Sequence, residues 1–311
     1  MSIVRTDVPM TAGLCRQTIA ALKNRYPFLR TRQLGTTAFG RPLQAVVMGQ
    51  GERRVLYTAA HHANEWITTP VLLKFAEELA QAEETGGTLY GVPARTITDA
   101  ATIYLVPMVD PDGVDLVTGA LPPGSGEAVL ARRLGENYPE IPFPDGWKAN
   151  LLGVDLNLQY PAGWLQAREI KFSQGYTRPG PRDYVGRAPL DQRESRVLAD
   201  FTEQVDPHLV LAYHSQGKEI YWQFAGIPVP GAPALGEEFA RLSGYTLADV
   251  PYDSGFAGYK DWFIRKFRRP GFTIEVGLGE NPLPLSQFGE IYRENLGILV
   301  TAATGLPGGE G

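Results

Sequence analysis

The segment RVLYTAAHHANEW, residues 54–66, joins an apolar run to the beginning of an amphipathic one. Residues 54–59 are mainly apolar and are bounded by a glycine and a polar loop, which predicts a buried strand. From about Glu65 to Glu83 the spacing of apolar residues predicts a helix. The place where a strand ends and a helix begins lies at the sheet edge where α/β proteins bind ligands. The segment therefore predicts an α/β fold with a site beside His62.

The rest of the chain alternates between strands and helices in the same way. Strands are predicted at residues 43–48, 103–108, 209–213 and 272–276, and helices at 12–26, 192–205, 233–244 and 286–304. Turns are predicted at 35–40 and at 110–113, and the aperiodic stretch 119–187 is typical of walls or lids around a site. Because no linker divides the chain, we expect one domain over residues 1–311 with its core at about 14–304. Its predicted architecture is a three-layer α/β/α sandwich around a mixed, mainly parallel sheet.

The composition argues against several classes of protein. The chain has 311 residues, a formal charge of −5 and a single cysteine, Cys15, so it cannot form an intrachain disulfide. It has neither a basic stripe nor an apolar run of about 18 residues, and we expect no nucleic-acid or membrane partner. Its N-terminus does not have the pattern of a secretory signal, which predicts a cytoplasmic protein. Nothing in the sequence indicates an oligomeric partner.

Three side chains have the pattern of a zinc site. His62 and Glu65 are three residues apart, so they can face one ion from a single helical turn. His214 follows the apolar run 209–213 and lies at a strand end of the same kind. Catalytic zinc sites use three protein ligands and leave one position open. The sequence therefore predicts that His62, Glu65 and His214 bind one Zn²⁺ ion.

A carboxylate inside an apolar strand supplies a candidate for proton transfer. Glu275 lies in the run FTIEV, residues 272–276, where its burial is costly unless the carboxylate is paired or functional. One alternative is a structural ion pair with an arginine such as Arg265. Beside zinc, which lowers the pKa of water from about 15.7 to about 7, Glu275 could instead accept a proton and pass it to a leaving amine.

These segments, together with further motifs in the same order, resemble the zinc carboxypeptidase (funnelin) family from about residue 14 to the end of the chain. The motifs lie at residues 62–66, 110–113, 153–157, 214–215, 252, 261–262 and 272–275. The resemblance implies a mixed sheet of eight strands flanked by helices and a single zinc ion on the ligands named above. It also implies that Glu275 is the catalytic carboxylate and that Asp155 orients the first histidine.

The chain departs from the family pattern at several positions. Leu158 stands where ordinary members have the arginine that holds the C-terminal carboxylate of the substrate. Lys148 follows Trp147 where the family has its oxyanion arginine, and Asn150 is an alternative for that role. Lys260 takes the position that lines the floor of the side-chain pocket. A lysine there favours an anionic substrate group, unless the lysine pairs with Asp261.

Three further residues enter through the same resemblance. Tyr252 matches the mobile tyrosine that covers bound substrate, with Tyr259 as a weaker alternative. Asn157 is retained from the carboxylate-binding motif, and with Lys260 it would hold substrate carboxylates. Arg187, or else Lys148, would have to supply the missing clamp if the protein removed C-terminal residues.

With Leu158 in place of the carboxylate-binding arginine and with Lys260 in the pocket, the chain resembles one branch of the family, the bacterial γ-D-glutamyl-diaminopimelate peptidases. The runs at 61–69, 147–150 and 277–284 are similar to that branch as well. The resemblance implies cleavage of a small muropeptide between glutamate and meso-diaminopimelate, whose second carboxylate would meet Lys260. Many such enzymes carry LysM repeats, and none is predicted here. The alternatives are a carboxypeptidase that acts on C-terminal acidic residues and a non-catalytic binding module on the same scaffold.

Overall fold

The fold is a three-layer α/β/α sandwich, seen in a computed structural model that describes residues 2–306. Ten helices have these bounds: α1 Ala12–Arg25, α2 Thr68–Thr85, α3 Ala94–Ala100, α4 Pro111–Val117, α5 Gly126–Gly135, α6 Trp164–Ser173, α7 Arg193–Val205, α8 Ala232–Ser243, α9 Tyr259–Phe267 and α10 Phe288–Thr304. The main sheet contains β1 Arg30–Thr36, β2 Pro42–Met48, β3 Arg53–Ala59, β6 Ala101–Val106, β7 Leu209–His214, β8 Glu219–Tyr221, β9 Thr246–Ala248 and β10 Gly271–Glu275. A separate hairpin pairs β4 Thr88–Leu89 with β5 Val92–Pro93.

The sheet is mixed, and its strand order is β1-β2-β6-β3-β7-β10-β8-β9. Strands β6, β3, β7 and β10 run parallel to one another at its centre. Parallel neighbours bring their carboxyl ends to one edge, so the residues that follow β3, β7 and β10 meet there. The predicted mixed sheet of about eight strands is confirmed.

Alternation along the central strands builds the two helical layers. In β7, Leu211 and Tyr213 point into the larger core with α1, α2, α8 and α10, whereas Val210 and Ala212 point into a second core with α7 and α9. All four residues are buried, as expected for strands covered on both faces. A fully buried leucine contributes roughly 1.5–3 kcal/mol, so these layers hold the strand ends rigidly beneath the site.

The segment 110–113, predicted as a turn, is instead the start of α4. Asp110 caps the helix by accepting a hydrogen bond from the Gly113 N–H at 3.0 Å, and Pro111 occupies the first helical position. A Cβ at Gly113 would lie 2.7 Å from the carbonyl oxygen of Ala149 and 2.7 Å from the Cβ of Ala63. Glycine therefore lets α4 pack directly against the two loops that flank the site.

Other boundaries differ from the predictions as well. The helix expected from Glu65 begins at Thr68, because Ala63–Glu65 forms a separate 3₁₀ turn. The stretch 119–187 was predicted to be irregular, but it contains the helices α5 and α6, which have ten residues each. The strand β1 was not predicted because its RTRQLGT sequence is polar and its side chains are largely exposed. Within residues 2–306, no helix has both the length and the apolar character that crossing a membrane requires.

Candidate active site

Three neighbouring strands deliver the predicted metal ligands and the predicted catalytic carboxylate. His62 follows β3, His214 is the last residue of β7, and Glu275 is the last residue of β10. The parallel register pairs Glu275 with His214, and it pairs the end of β3 with the residue before His214. Glu65 reaches the same point from the 3₁₀ turn after His62. The sheet edge therefore brings together all four residues that the sequence singled out first.

The three ligand side chains converge at spacings that suit one zinc ion. The Nδ1 atom of His62 lies 2.8 Å from Glu65 Oε1, and that of His214 lies 2.9 Å from Glu65 Oε2. The two Nδ1 atoms are 3.3 Å apart. Ligands bound about 2.0–2.1 Å from a tetrahedral zinc ion are separated by roughly 3.3 Å. All three residues are buried, and their donor atoms fit Zn²⁺.

Asp155 holds His62 in the orientation that metal binding needs. Its Oδ1 atom lies 3.1 Å from His62 Nε2 and accepts a hydrogen bond from the Asn157 N–H at 3.0 Å. Its Oδ2 atom accepts a hydrogen bond from the Asp183 N–H at 3.3 Å. When Nε2 donates its proton to Asp155, the lone pair of Nδ1 faces the other two ligands. Asp155 thus lies where the family resemblance predicted it.

Without a metal ion, a proton on His62 compensates the negative charge of the neighbouring carboxylates. Burial opposes a charge on His62, but the carboxylates of Glu65 and Asp155 outweigh it and raise the pKa of His62 to about 9. Burial likewise opposes a charge on Glu65, yet His62, Lys148 and His214 hold its pKa well below the usual range. The protein without metal therefore keeps a proton where zinc would bind, and metal binding must release that proton.

Glu275 lies in the cleft beside the ligands without belonging to them. Its side chain is half-buried, and burial followed by the nearby charge of Glu65 raises the pKa of Glu275 to about 8. A carboxyl group with its pKa near neutral can both accept and donate a proton. A cation bound at Glu65 would offset part of this rise, because it would neutralise the charge that causes it.

Lys148 places a positive charge beside the metal ligands. Its Nζ atom lies 2.9 Å from Glu65 Oε1, and its side chain is mostly buried. The Lys148 carbonyl accepts a hydrogen bond from the Ala63 N–H, and both Lys148 N–H and Ala149 N–H donate to the Pro181 carbonyl. The loop that carries Lys148 is therefore fixed between the 3₁₀ turn of Glu65 and the segment around Pro181.

These residues line a cleft of about 840 Å³. Leu158 and Asn157 form part of its wall, and the side chain of Leu158 packs against Trp164 and Val185. The Asn157 Oδ1 atom accepts a hydrogen bond from the Tyr259 N–H at 3.0 Å. This contact uses the amide oxygen of Asn157 and leaves its Nδ2 group available to donate a hydrogen bond in the cleft.

Lys260 lies in the wall of the same cleft, but its charge is already paired. Its Nζ atom lies 2.5 Å from Asp261 Oδ1 and donates to the Gln223 carbonyl at 2.7 Å. Both Lys260 and Asp261 are about 4% exposed, so the cleft contains a buried pair of opposite charges. The pairing with Asp261 that the sequence analysis gave as the alternative is therefore present, and an anionic substrate group at this lysine stays a prediction.

Three predicted residues are not brought into the cleft. Asn150 is buried, where its Nδ2 atom donates to Gln192 and Glu194 and its Oδ1 atom accepts two backbone N–H groups, so it has no group left for an oxyanion. Arg187 is exposed and outside the cleft lining. Tyr252 is 65% exposed on the rim, and its hydroxyl accepts a hydrogen bond from Gln166 at 2.7 Å.

The cleft also contains a basic residue that the sequence did not single out. Arg182, from the run RPGPRDY at 178–184, lines the cleft beside Lys171 and Asp183. The run belongs to the stretch that was predicted to be irregular, where periodicity cannot say which way a side chain points. Its two arginines within five residues were the only available signal.

Comparisons with known proteins agree with this geometry. The family model described as zinc carboxypeptidase matches residues 15–297. The gamma-D-glutamyl-L-diamino acid endopeptidase 1 of Lysinibacillus sphaericus is 43% identical over 282 residues, which are 91% of this chain and 69% of that protein. The uncharacterized protein YqgT of Bacillus subtilis is 38% identical over 277 residues, 88% of this chain and 72% of that one. The crystal structure of thrombin activatable fibrinolysis inhibitor superposes with a TM-score of 0.74 at 16% identity, covering 98% of this chain and 76% of that one.

Proposed function

We propose a specific reaction for this chain, which belongs to the zinc carboxypeptidase family and is a zinc metallopeptidase. The reaction is hydrolysis of the amide bond between γ-D-glutamate and meso-diaminopimelate in peptides derived from peptidoglycan. A relative that is 43% identical is named as a gamma-D-glutamyl-L-diamino acid endopeptidase, which supports this substrate class.

The observation that carries the proposal is the wall of the cleft at Leu158. An apolar side chain, packed against Trp164 and only 8% exposed, stands where a plain carboxypeptidase needs an arginine. Each charge-assisted hydrogen bond to a carboxylate contributes about 1.5–3 kcal/mol. Without two such bonds, a C-terminal main-chain carboxylate would bind at least roughly tenfold more weakly. The cleft is therefore better suited to a substrate that is recognised through other groups.

The pair formed by Lys260 and Asp261 suits the leaving group of this substrate. Meso-diaminopimelate carries both an ammonium and a carboxylate at the far end of its side chain. The Lys260 ammonium donates to the Gln223 carbonyl and forms an ion pair with Asp261, and a further N–H of the ammonium would meet a substrate carboxylate. Asp261 in turn offers a negative charge to the substrate ammonium. A lysine side chain in the substrate would lack the carboxylate and lose the first of these contacts.

The reaction uses residues that already face the ligand set. His62, Glu65 and His214 would hold the Zn²⁺ ion, which would supply Lewis acidity to the scissile carbonyl and to a water molecule. Glu275 accepts a proton from the attacking water and delivers it to the nitrogen of the leaving amine. Lys148, held 2.9 Å from Glu65, supplies positive charge to the oxyanion that develops on the carbonyl.

Mass spectrometry of peptide digests tests the proposal. The zinc-loaded protein is incubated with L-Ala-γ-D-Glu-meso-diaminopimelate, with its lysine analogue and with a hippuryl peptide. We expect release of free diaminopimelate, slower cleavage of the lysine analogue and little cleavage of the hippuryl peptide. An intact muropeptide together with a cleaved hippuryl peptide would refute the proposal.

The carboxypeptidase alternative has less support from the geometry. It needs a clamp for the terminal carboxylate, for which Arg187 and Lys148 were the candidates. Arg187 lies outside the cleft, and Lys148 contacts Glu65. The single catalytic domain without LysM repeats and the cytoplasmic location remain predictions from the sequence.

A further inference from the structure

Arg182 presents an unused guanidinium fork to the cleft. Its Nε atom donates to Asp183 Oδ2 at 2.7 Å, and its side chain is 40% exposed. Among residues 2–306, neither of its Nη atoms has a hydrogen-bond partner. Because the Nε contact fixes the plane of the guanidinium, the two Nη groups are held ready for a bidentate contact with an anion.

The charges around Arg182 leave a net positive charge at this position. Asp183 also accepts an ion pair from Lys171, whose Nζ atom lies 2.7 Å from Asp183 Oδ1. Two cations therefore share one carboxylate, and Lys171 is the buried member of the two, with a side chain that is 9% exposed. Asp155, the other carboxylate that acts on Arg182, is itself paired with His62, so a positive charge remains on the exposed fork of Arg182, which lines the cleft.

The backbone places Arg182 next to the residue proposed to meet the oxyanion. The carbonyl of Pro181, its chain neighbour, accepts hydrogen bonds from Lys148 N–H at 2.7 Å and from Ala149 N–H at 2.9 Å. Lys148 in turn contacts the ligand Glu65. A substrate group on Arg182 would thus lie beside the residue proposed to meet the oxyanion, and the oxyanion develops on the acyl half of the bond.

A γ-linked glutamyl residue has a carboxylate close to the scissile carbonyl, whereas an α-linked residue with an uncharged side chain does not. Its free α-carboxylate is four bonds from the scissile carbonyl carbon, roughly 5 Å in an extended chain. Resting on the proposed function, we infer that Arg182 binds this α-carboxylate and so selects γ-glutamyl substrates over those whose acyl residue has no carboxylate at this distance. Arg182 is then a specificity residue for the acyl side of the bond.

This position is separate from the one assigned to the leaving group. Lys260 belongs to α9 and pairs with Asp261, whereas Arg182 belongs to the segment after α6 and pairs with Asp183. The two cations use different carboxylates and different elements. Selectivity at the two ends of the substrate should therefore change independently.

Substrates that differ in one carboxylate test the inference. Three tripeptides are compared: L-Ala-γ-D-Glu-meso-diaminopimelate, the same peptide with the glutamyl α-carboxylate amidated, and one with the diaminopimelate main-chain carboxylate amidated. We expect the wild type to prefer the first over the second by about 10- to 100-fold in kcat/KM, the range of one charge-assisted contact. Arg182→Met should lose most of this preference by slowing the first and third substrates, which keep the glutamyl α-carboxylate, but not the second, and Arg182→Lys should restore it partly.

Arg187→Met is the matched control, because it removes an arginine five residues away that is outside the cleft. It should leave all three rates unchanged. Zinc content and thermal unfolding are recorded for every variant.

Equal slowing of all three substrates by Arg182→Met would overturn the inference, since it would indicate a structural role. A loss that follows the diaminopimelate carboxylate would also overturn it, by placing Arg182 at the leaving group. If the wild type cleaved the first two equally, the proposed function would stand and this inference would fail. If it cleaved none of them but did cleave a hippuryl peptide, both would fail.

Discussion

Replacing Asp155 by asparagine should weaken zinc binding without unfolding the protein. Asp155 contacts His62 Nε2 and accepts two backbone N–H groups, from Asn157 and Asp183. An asparagine has the same size but one oxygen fewer and no charge. It must either present an N–H group to His62 or leave a backbone donor without an acceptor. In both cases His62 loses the carboxylate that orients it.

The size of the effect follows from the role of that carboxylate. Loss of a hydrogen-bond partner behind a metal-ligating histidine costs about 10- to 100-fold in metal affinity, or about 1.4–2.7 kcal/mol. Asp155→Ala should lie at the upper end because it removes all three contacts. The wild type should also bind zinc more tightly as pH rises to about 9, since zinc must displace a proton from His62, whose pKa the carboxylates of Glu65 and Asp155 raise to about 9 against the opposing effect of burial.

Competition with a chromophoric chelator at fixed pH measures the zinc dissociation constant. Glu275→Gln is the matched control, because it also removes one carboxylate from the cleft but leaves the bond to His62 intact. Thermal unfolding of the metal-free proteins shows whether the fold survives. The reasoning is refuted if Asp155→Asn and Glu275→Gln have the same zinc affinity as the wild type, or if both lose affinity equally.

Three further outcomes are expected. Glu275→Gln should lower kcat by about 10²- to 10⁴-fold at unchanged zinc content, which activity assays with metal analysis would detect; retained activity would remove Glu275 from the reaction. Lys260→Met should lower the free energy of unfolding by about 3–5 kcal/mol in urea titrations, because Asp261 then lies buried without its partner, and adding Asp261→Asn should recover much of the loss. Burial raises the pKa of Glu194 from 4.5 to about 7, so the folded protein keeps a proton that the unfolded chain releases. The stability of the wild type should therefore fall by about 3 kcal/mol relative to Glu194→Gln as pH rises from about 4.5 through 7, and parallel pH profiles would contradict this.

The central strands were predictable because burial on both faces demands continuous apolar residues. Strands β3, β6, β7 and β10 all carry such runs, and each was predicted within one or two residues. Edge strands need no such pattern, since β1 is stabilised by backbone pairing with β2 and its side chains are exposed. The strands β8 and β9 have three residues each, too few for a period of two to be recognised.

The residues of the irregular stretch were predicted less well. Asn150 was expected to bind substrate, but its amide satisfies the backbone of its own loop and the side chain of Gln192. Arg187 was named as a candidate to bind substrate, but the structure places Arg182, not Arg187, in the lining of the cleft. In both cases the residue type was reasonable, and the direction of the side chain depended on contacts with distant segments that no local pattern encodes.

The sequence by itself determined the metal ligands, the carboxylate at the end of β10 and the absence of an arginine at Leu158. The ligands and the carboxylate follow from residue chemistry and from the rule that parallel strands end at one edge, whereas the missing arginine at Leu158 is visible only against the pattern of the resembled family. Only the tertiary structure decided which basic groups face the cleft and which are already paired. Lys260 is matched by Asp261 and Lys148 by Glu65, whereas Arg182 keeps a free fork. Neighbouring carboxylates neutralise part of a cation's charge, so only the rest can attract a substrate anion. The fold determines which carboxylates are neighbours.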